Sequence, residues 1–413
     1  MFDEKTKWFL KRHNFGYYSE NSVPFGLAYT EALGLYKSVG LSRANLIADV
    51  FNDNDFTTRK EYFELIFKKT PPEIVFLDSF ISSDFLCLYN LLKKSKISFF
   101  FLNQIAIFQS HRSPPSNSFL LPSQSTLISI FWYFDILKRK AIDLIRSMLS
   151  FGRISERRLW DKIYKMGLNK YEPIDNHPFN ISFLDIPEVV LSHKEWDFSN
   201  TNIYHSQRFY IGFLANTSWN TDISFENNRT EFLNVLQSPK KIIYISFGTT
   251  NSKNEIHFLK FIKKIIKISE SLYEYNIIIG AVPLEVKRKL NNSKNVYIFG
   301  ILNQNIVLSK SSLFISHGGF NSIKESIYFK VPMLIVPINL NFDQPGNSSR
   351  VIYHKIGLRS SVSDSPKQIL LKINLLFKLK EMEIKLEEFN ELERSKDISK
   401  TIDSLILNRH YID

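Results

Sequence analysis

The sequence predicts an α/β protein with two doubly wound parallel sheets, and three observations carry that expectation. The second half of the chain alternates short β-branched runs with amphipathic helical stretches. The first half carries the same alternation less regularly, and a polar stretch at 216–228 stands between the two. The length, 413 residues, corresponds to about two to three domains.

In the first half, 73–77 reads as a strand ending at Asp78, 84–94 as a helix and 97–102 as a second strand. A Ser/Pro/Asn-rich loop at 110–124 leads into helical stretches at 125–149 and 156–166. Strands at 188–192 and 209–211 close this half. In the second half, 241–246 is a buried strand, 254–272 a helix, 275–280 a strand and 284–290 a polar helix. Strands at 295–299, 313–316 and 333–337 follow with helices between them, and 381–407 is an amphipathic helical tail. Parallel strands joined by right-handed crossovers place ligands beyond their carboxyl ends. Functional residues are therefore expected just after Ser246, Phe299, Ser316 and Pro337. The expected division is a first domain at 1–215, a linker at 216–228, a second domain at 229–390 and a helical tail at 391–413.

Composition narrows the class. Hydrophobic residues are 44% and charged residues 23% of the chain, which argues against disorder. The single cysteine, Cys87, excludes an intramolecular disulfide and a cysteine-built zinc site. The opening Met1-Phe2-Asp3-Glu4-Lys5 has no apolar run of the signal-peptide kind. No stretch reaches the ~18 apolar residues of a membrane span. The expectation is a soluble, cytoplasmic protein. Its net charge is +12, but the basic residues are scattered, with no aromatic-interleaved stripe. That pattern describes a solvated surface rather than a nucleic-acid interface.

The most informative segment is Phe314-Ile315-Ser316-His317-Gly318-Gly319-Phe320-Asn321-Ser322, with Glu325 one turn further on. A strand feeds a small-residue turn and then a helix, whose first amides attract phosphate. Gly318 and Gly319 allow close approach of a ligand to the backbone, and His317, Asn321 and Ser322 add side-chain donors. Glu325 is placed to accept ribose hydroxyls. Helix capping alone explains one polar residue here, not this set. A second Gly turn, Ser246-Phe247-Gly248-Thr249, follows the first strand of the same half. After the last core strand, Asp343 and Gln344 precede Pro345, a pattern that suits either a grip on sugar hydroxyls or a simple helix start.

Together, His317-Gly318-Gly319-Phe320-Asn321-Ser322, Glu325, Val331-Pro332, Pro337 and Asp343-Gln344 with Asn347 closely resemble the donor signature of the UDP-glycosyltransferases. Ser246-Phe247-Gly248-Thr249 resembles that family's Ser-Phe-Gly-Ser/Thr turn, and Leu302-Asn303-Gln304 stands where many members read Val-Pro-Gln. The resemblance is strongest over 240–357. It implies the GT-B architecture, two Rossmann-like domains facing a cleft, with the donor held mainly by the second. It further implies that His317, Asn321 and Ser322 bind the diphosphate and Glu325 the ribose, with Ser246, Gly248, Thr249 and Gly319 also in the donor site. Leu302 and Gln304 would meet the base, and Asp343 and Gln344 the sugar. The implied reaction is inverting transfer of a hexose from a UDP-sugar to a small, lipophilic hydroxyl compound, with no cofactor or metal.

Several positions depart from the family pattern. Ile301 replaces the Trp that stacks on the base in many members. The loop from Pro337 to Asp343 is about two residues longer than usual. The family's opening strand, Gly-His and helix, which supply the catalytic base, have no counterpart here; His13 follows no glycine and is not given that role. The first domain is therefore expected to be incomplete, and the alternative is a donor-binding protein without independent activity, a truncated copy or one subunit of a split transferase. Asp78, at the end of Val75-Phe76-Leu77, resembles the family's Asp that orients the base, and its competing role is to cap the next turn. Aromatic residues crowd the first half and suit a lipophilic acceptor. The stretch 127–137, next to Lys138-Arg139-Lys140, is a candidate for peripheral membrane contact.

Overall fold

The computed structural model describes residues 10–11, 15–16, 25, 40, 42–104, 113–149, 156–168, 173–174, 182–183, 186–198, 208–214, 229–248, 255–290 and 293–407. The expected linker at 216–228, together with Thr249 and His13, lies outside them.

The first named elements of the first lobe are helices α1 (Arg43–Phe51) and α2 (Asn54–Lys69), which sequence periodicity did not single out. They precede strand β1 (Ile74–Asp78), helix α3 (Phe85–Ser95) and strand β2 (Ser98–Asn103). Helices α4 (Ser125–Leu149) and α5 (Glu156–Lys165) follow, then a short antiparallel pair, β3 (Pro173–Ile174) and β4 (Ser182–Phe183). Strands β5 (Glu188–Val190) and β6 (Arg208–Tyr210) complete a parallel sheet of order β1-β2-β5-β6. Phe85, Phe99, Phe101 and Phe183 pack edge-on and stacked beneath it, so the aromatic richness of this half is partly core.

The second lobe begins with α6 (Arg229–Gln237) and β7 (Lys241–Ser246), followed by α7 (Glu255–Ile268) and β8 (Tyr275–Gly280). A single turn of helix, α8 (Leu284–Lys287), stands where a longer one is expected, because Lys289 and Leu290 close back as turns on Val286 and Lys287. Next come β9 (Val296–Ile298), α9 (Gln304–Leu308), β10 (Ser311–Ser316), α10 (Phe320–Tyr328) and β11 (Met333–Ile335). Helix α11 (Gln344–Tyr353) leads to β12 (Gly357–Arg359) and α12 (Pro366–Leu376). The tail is not one helix but two, α13 (Lys380–Ser395) and α14 (Ile398–Leu407).

All six strands of this second sheet are parallel, in the order β12-β11-β10-β7-β8-β9. Buried Ile, Val, Leu and Phe side chains cover both faces, as a parallel sheet sandwiched by helices requires. The chain runs outward from β7 in one direction and returns to β10 to run in the other. The strand order therefore reverses between β7 and β10, and a crevice opens beyond their carboxyl ends.

Two first-half segments reach into the second lobe. Trp196 is fully buried against Phe213, Phe320, His354 and Phe389. On the other side, the Ser116 carbonyl accepts the Gly346 amide at 2.9 Å, which gives a first-turn amide of α11 a partner from outside its helix. In return, Leu405 of α14 packs against Phe100, Val189 and Ile211 of the first sheet.

Gly346 leaves no room for a Cβ, which would fall on the Ser116 backbone. Gly346→Ala is expected to cost about 1–3 kcal/mol through overpacking, read as a lowered urea midpoint; an unchanged midpoint would show that the loop does not seat there.

Candidate active site

The carboxyl ends of β7 and β10 pair Ser246 with Ser316, so the two following turns lie side by side. After β7 the chain turns through Gly248 at φ +73°, and after β10 through Gly318 at φ +88°. The Ser316 hydroxyl accepts the Gly318 amide at 3.2 Å and tightens the second turn. His317 wedges its ring between them. A Cβ on Gly248 would stand 3.2 Å from the imidazole Cε1, and one on Gly319 only 2.7 Å from Nε2. Both glycines are thus needed to seat the ring, beyond the ligand access the sequence suggested. The Phe247 ring lies roughly parallel to the imidazole, 6.4 Å away between centroids.

Burial pushes the His317 pKa down to about 4, so the ring is neutral at pH 7. Its Nδ1 is buried without a hydrogen-bond partner. Immediately beyond, α10 is preceded by Gly319, which has an extended conformation and no side chain to cap the first amides. Asn321 is exposed and Ser322 half-buried in that first turn. An unsatisfied ring nitrogen beside an uncapped helix start offers donors and positive potential to an anion such as a diphosphate.

Two further groups frame this turn. Gln304, at the start of α9, donates to the Ser322 hydroxyl at 3.2 Å and to the Glu325 carboxylate. Its side chain therefore orients Glu325, a role the sequence did not suggest. Burial raises the Glu325 pKa, and the Gln304 bond and nearby Lys324 pull it back. Leu302 places its Cδ1 against Gly280 at the end of β8, beside the Tyr244 hydroxyl. Ile301, where many members of the resembling family have Trp, is 52% exposed and so available to an apolar contact.

On the opposite side, Asp343 precedes α11 but its carboxylate caps no helix amide. Instead it accepts from Asn347 Nδ2 at 2.9 Å, while the same amide donates to the Gly318 carbonyl at 2.8 Å. Asn347 thereby ties Asp343 to the His317–Gly319 turn. Burial raises the Asp343 pKa, offset by that Asn347 bond. Gln344 spends its carbonyl oxygen on the Ile338 and Asn339 amides, both at 2.9 Å, holding the loop after β11. Of its side-chain groups, the amide nitrogen remains to meet a ligand.

The structure thus brings together Ser246, Gly248, His317, Gly319, Asn321, Ser322, Asp343 and Gln344, with Gln304 and Glu325 adjoining through α10 and Leu302 beside the end of β8. For Asp78 the structure displays the competing role, since the residue is exposed and its carboxylate accepts the Phe80 amide at 2.9 Å. It caps the turn at Ser79–Asp84, as Asp commonly does where a strand ends. The buried carboxylate of this region is Asp84, which accepts from Arg59 at 2.7 Å and from the Phe25 amide at 2.8 Å. Only its tertiary partners distinguish it from Asp78; the sequence offers no such signal.

Residues 242–402 match the glycosyltransferase family 28 C-terminal domain. A zeaxanthin glucosyltransferase of Pantoea ananas is 32% identical over 126 residues, covering 30% of this chain and 28% of that protein. The uncharacterized UDP-glucosyltransferase YdhE of Bacillus subtilis is 30% identical over 188 residues, 41% of this chain and 46% of its own. The matches thus span less than half the length of these curated relatives. The crystal structure of the glycotransferase of kitacinnamycin has a TM-score of 0.64 at 14% identity, covering 98% of this chain and 88% of that one. For the calicheamicin glycosyltransferase CalG4 the score is 0.54 at 13% identity, with 87% and 80% covered. The fold is GT-B, as the sequence led one to expect.

The low pKa of His317 links it to stability. Between about pH 6.5 and pH 4 the unfolded chain takes up a proton that the folded ring refuses, so stability falls as pH drops through that window and is regained above it. The contribution is on the order of 3 kcal/mol. Unfolding free energies of wild type and His317→Gln, measured at pH 7 and pH 4.5, should differ in slope, with the variant less acid-sensitive. Parallel pH profiles would mean that the ring is solvated.

Proposed function

We propose that this chain is a UDP-glycosyltransferase and transfers a hexose from a UDP-sugar to a hydroxyl of a small lipophilic compound, with inversion, a reading supported by its likeness to the glycosyltransferase family 28 C-terminal domain and to a UDP-glucosyltransferase. The observation that supports this most directly is His317, held neutral between Gly248 and Gly319 with an unpartnered Nδ1 beside the uncapped start of α10. In the proposed reaction the acceptor oxygen bonds to the anomeric carbon while the bond to the diphosphate oxygen breaks, and the hydroxyl proton is released to solvent water. The leaving charge falls on donors already in place, the His317 ring and the first amides of α10, which need little reorganisation. Glu325, oriented by Gln304, takes the ribose hydroxyls. Asp343 and the Gln344 amide take hexose hydroxyls. Leu302 and Ile301 form the apolar side of the base site. A relative named for zeaxanthin supports a lipophilic acceptor, as does the aromatic content of the first lobe.

A second reading, a donor-binding protein without turnover of its own, is favoured by one observation. Asp78, the residue expected to orient a base, spends its carboxylate on the Phe80 amide.

Calorimetry of UDP binding and an assay of UDP release with lipophilic alcohols separate the two. UDP binding is expected in both cases, and His317→Ala should weaken it by about 1–3 kcal/mol. Unchanged affinity in that variant would remove His317 from the site. Asp343→Ala should reduce affinity for the UDP-sugar while sparing UDP. Equal losses for both ligands would assign Asp343 to holding the Gly318 turn through Asn347.

A further inference from the structure

Helix α4 is the longest described element, and its two faces differ sharply. Its inner face is anchored by Ile128 and Trp132, both essentially buried, with the Trp132 indole donating to the Ser113 carbonyl at 2.9 Å. Asp135 and Arg139 pair along the same side at 2.9 Å. The opposite face carries Leu127, Ile130, Phe134, Leu137, Leu144 and Met148, exposed by 46–68%. With exposed Ala141, these positions recur at alternating steps of three and four, the spacing of one helical stripe. The stripe runs about 30 Å along the helix, too long to be the wall of a single small-molecule pocket.

Two lysines flank it. At 100° per residue, Lys138 and Lys140 leave the helix about 80° to either side of the stripe, and both are exposed. Such side chains extend sideways to keep their charges in a polar layer while the stripe enters an apolar one. We propose that α4 lies in the surface of an anionic lipid bilayer, with the stripe at the acyl boundary and Lys138 and Lys140 among the headgroups. Charge selects this occupant over a second copy of the chain. The stripe would suit helix pairing, but the positions flanking it hold Lys138 and Lys140 and no acid. A self-paired helix would bring the lysines of two copies together along the seam. The net charge of +12 likewise repels a copy and favours an anionic surface. No helix among the described residues is long and apolar enough to cross a membrane, so the contact is peripheral. The value of this surface for reaching lipophilic acceptors rests on the transferase reading; the lipid contact itself does not.

The test is co-sedimentation of the full chain with vesicles of phosphatidylcholine alone or mixed with phosphatidylglycerol. Binding is expected only to the mixed vesicles and should weaken with added salt. Lys138→Gln combined with Lys140→Gln should lower the partition coefficient about 30-fold. Phe134→Ser combined with Leu137→Ser should abolish binding while thermal unfolding stays at the wild-type midpoint, since both residues are exposed. Three outcomes would overturn the proposal: no wild-type binding to mixed vesicles, equal binding by the serine variant, or a concentration-dependent dimer that the serine variant abolishes. None of them touches UDP affinity, which tests the transferase reading separately.

Discussion

The candidate site depends on the parallel pairing of β7 with β10. That pairing sets Ser246 level with Ser316, and the two glycine turns beyond them then stand close enough to hold one imidazole between them. Were the register shifted by one residue, side chains would exchange faces and His317 would lose its seat. Burial keeps the ring uncharged, with its pKa near 4, so its donor is available without the cost of a buried cation. The reversal of strand order supplies the crevice, and α10 supplies the positive end of a helix within it. Fold and chemistry meet at this one crossing.

Helix α11 carries that arrangement outward to the rest of the molecule. Its first turn accepts restraint from both lobes, through Asn347 to the Gly318 carbonyl and through the Gly346 amide to Ser116. Further along, Arg350 is buried with its guanidinium over the Phe198 ring, 4.7 Å away, and 3.7 Å from Asp197. Burial raises the Asp197 pKa to about 6, against the pull of Arg350 and of the Tyr210 hydroxyl, which donates at 2.8 Å. A buried pair of this kind adds little net stability, because desolvation offsets the attraction. Its effect here is geometric. It fixes the 193–198 segment against the helix that positions Asp343, aided by the His354 ring at 3.0 Å from the Trp196 carbonyl.

The period of hydrophobic residues was enough to read most of the strands, the longer of which are runs of five or six residues whose burial follows from the chain's own pattern, whereas β3, β4 and β12, of two or three residues, were not read. The small-residue turn after β10 was legible for a related reason. Its residues lie within one stretch from Ser316 to Glu325, so spacing along the chain is nearly spacing in space. The roles of Gln304 and Asn347 were harder to see. Each acts on a partner 21 or 29 residues away, through contacts that only the folded sheet creates.

The sequence by itself therefore determined the alternating α/β class, the small-residue turn at His317–Gly319 and the placing of Asp343 and Gln344 before a helix. Tertiary structure alone decided which of two neighbouring carboxylates of the first lobe is buried. Asp78 and Asp84 are six residues apart and chemically identical, yet one caps a turn in solvent and the other meets Arg59 in the interior. It also decided that the apolar stripe of α4 faces outward, since helical spacing shows that a stripe exists but not which way it turns. Local propensity is written in neighbouring residues, whereas burial is set by whatever the rest of the chain brings to lie on top.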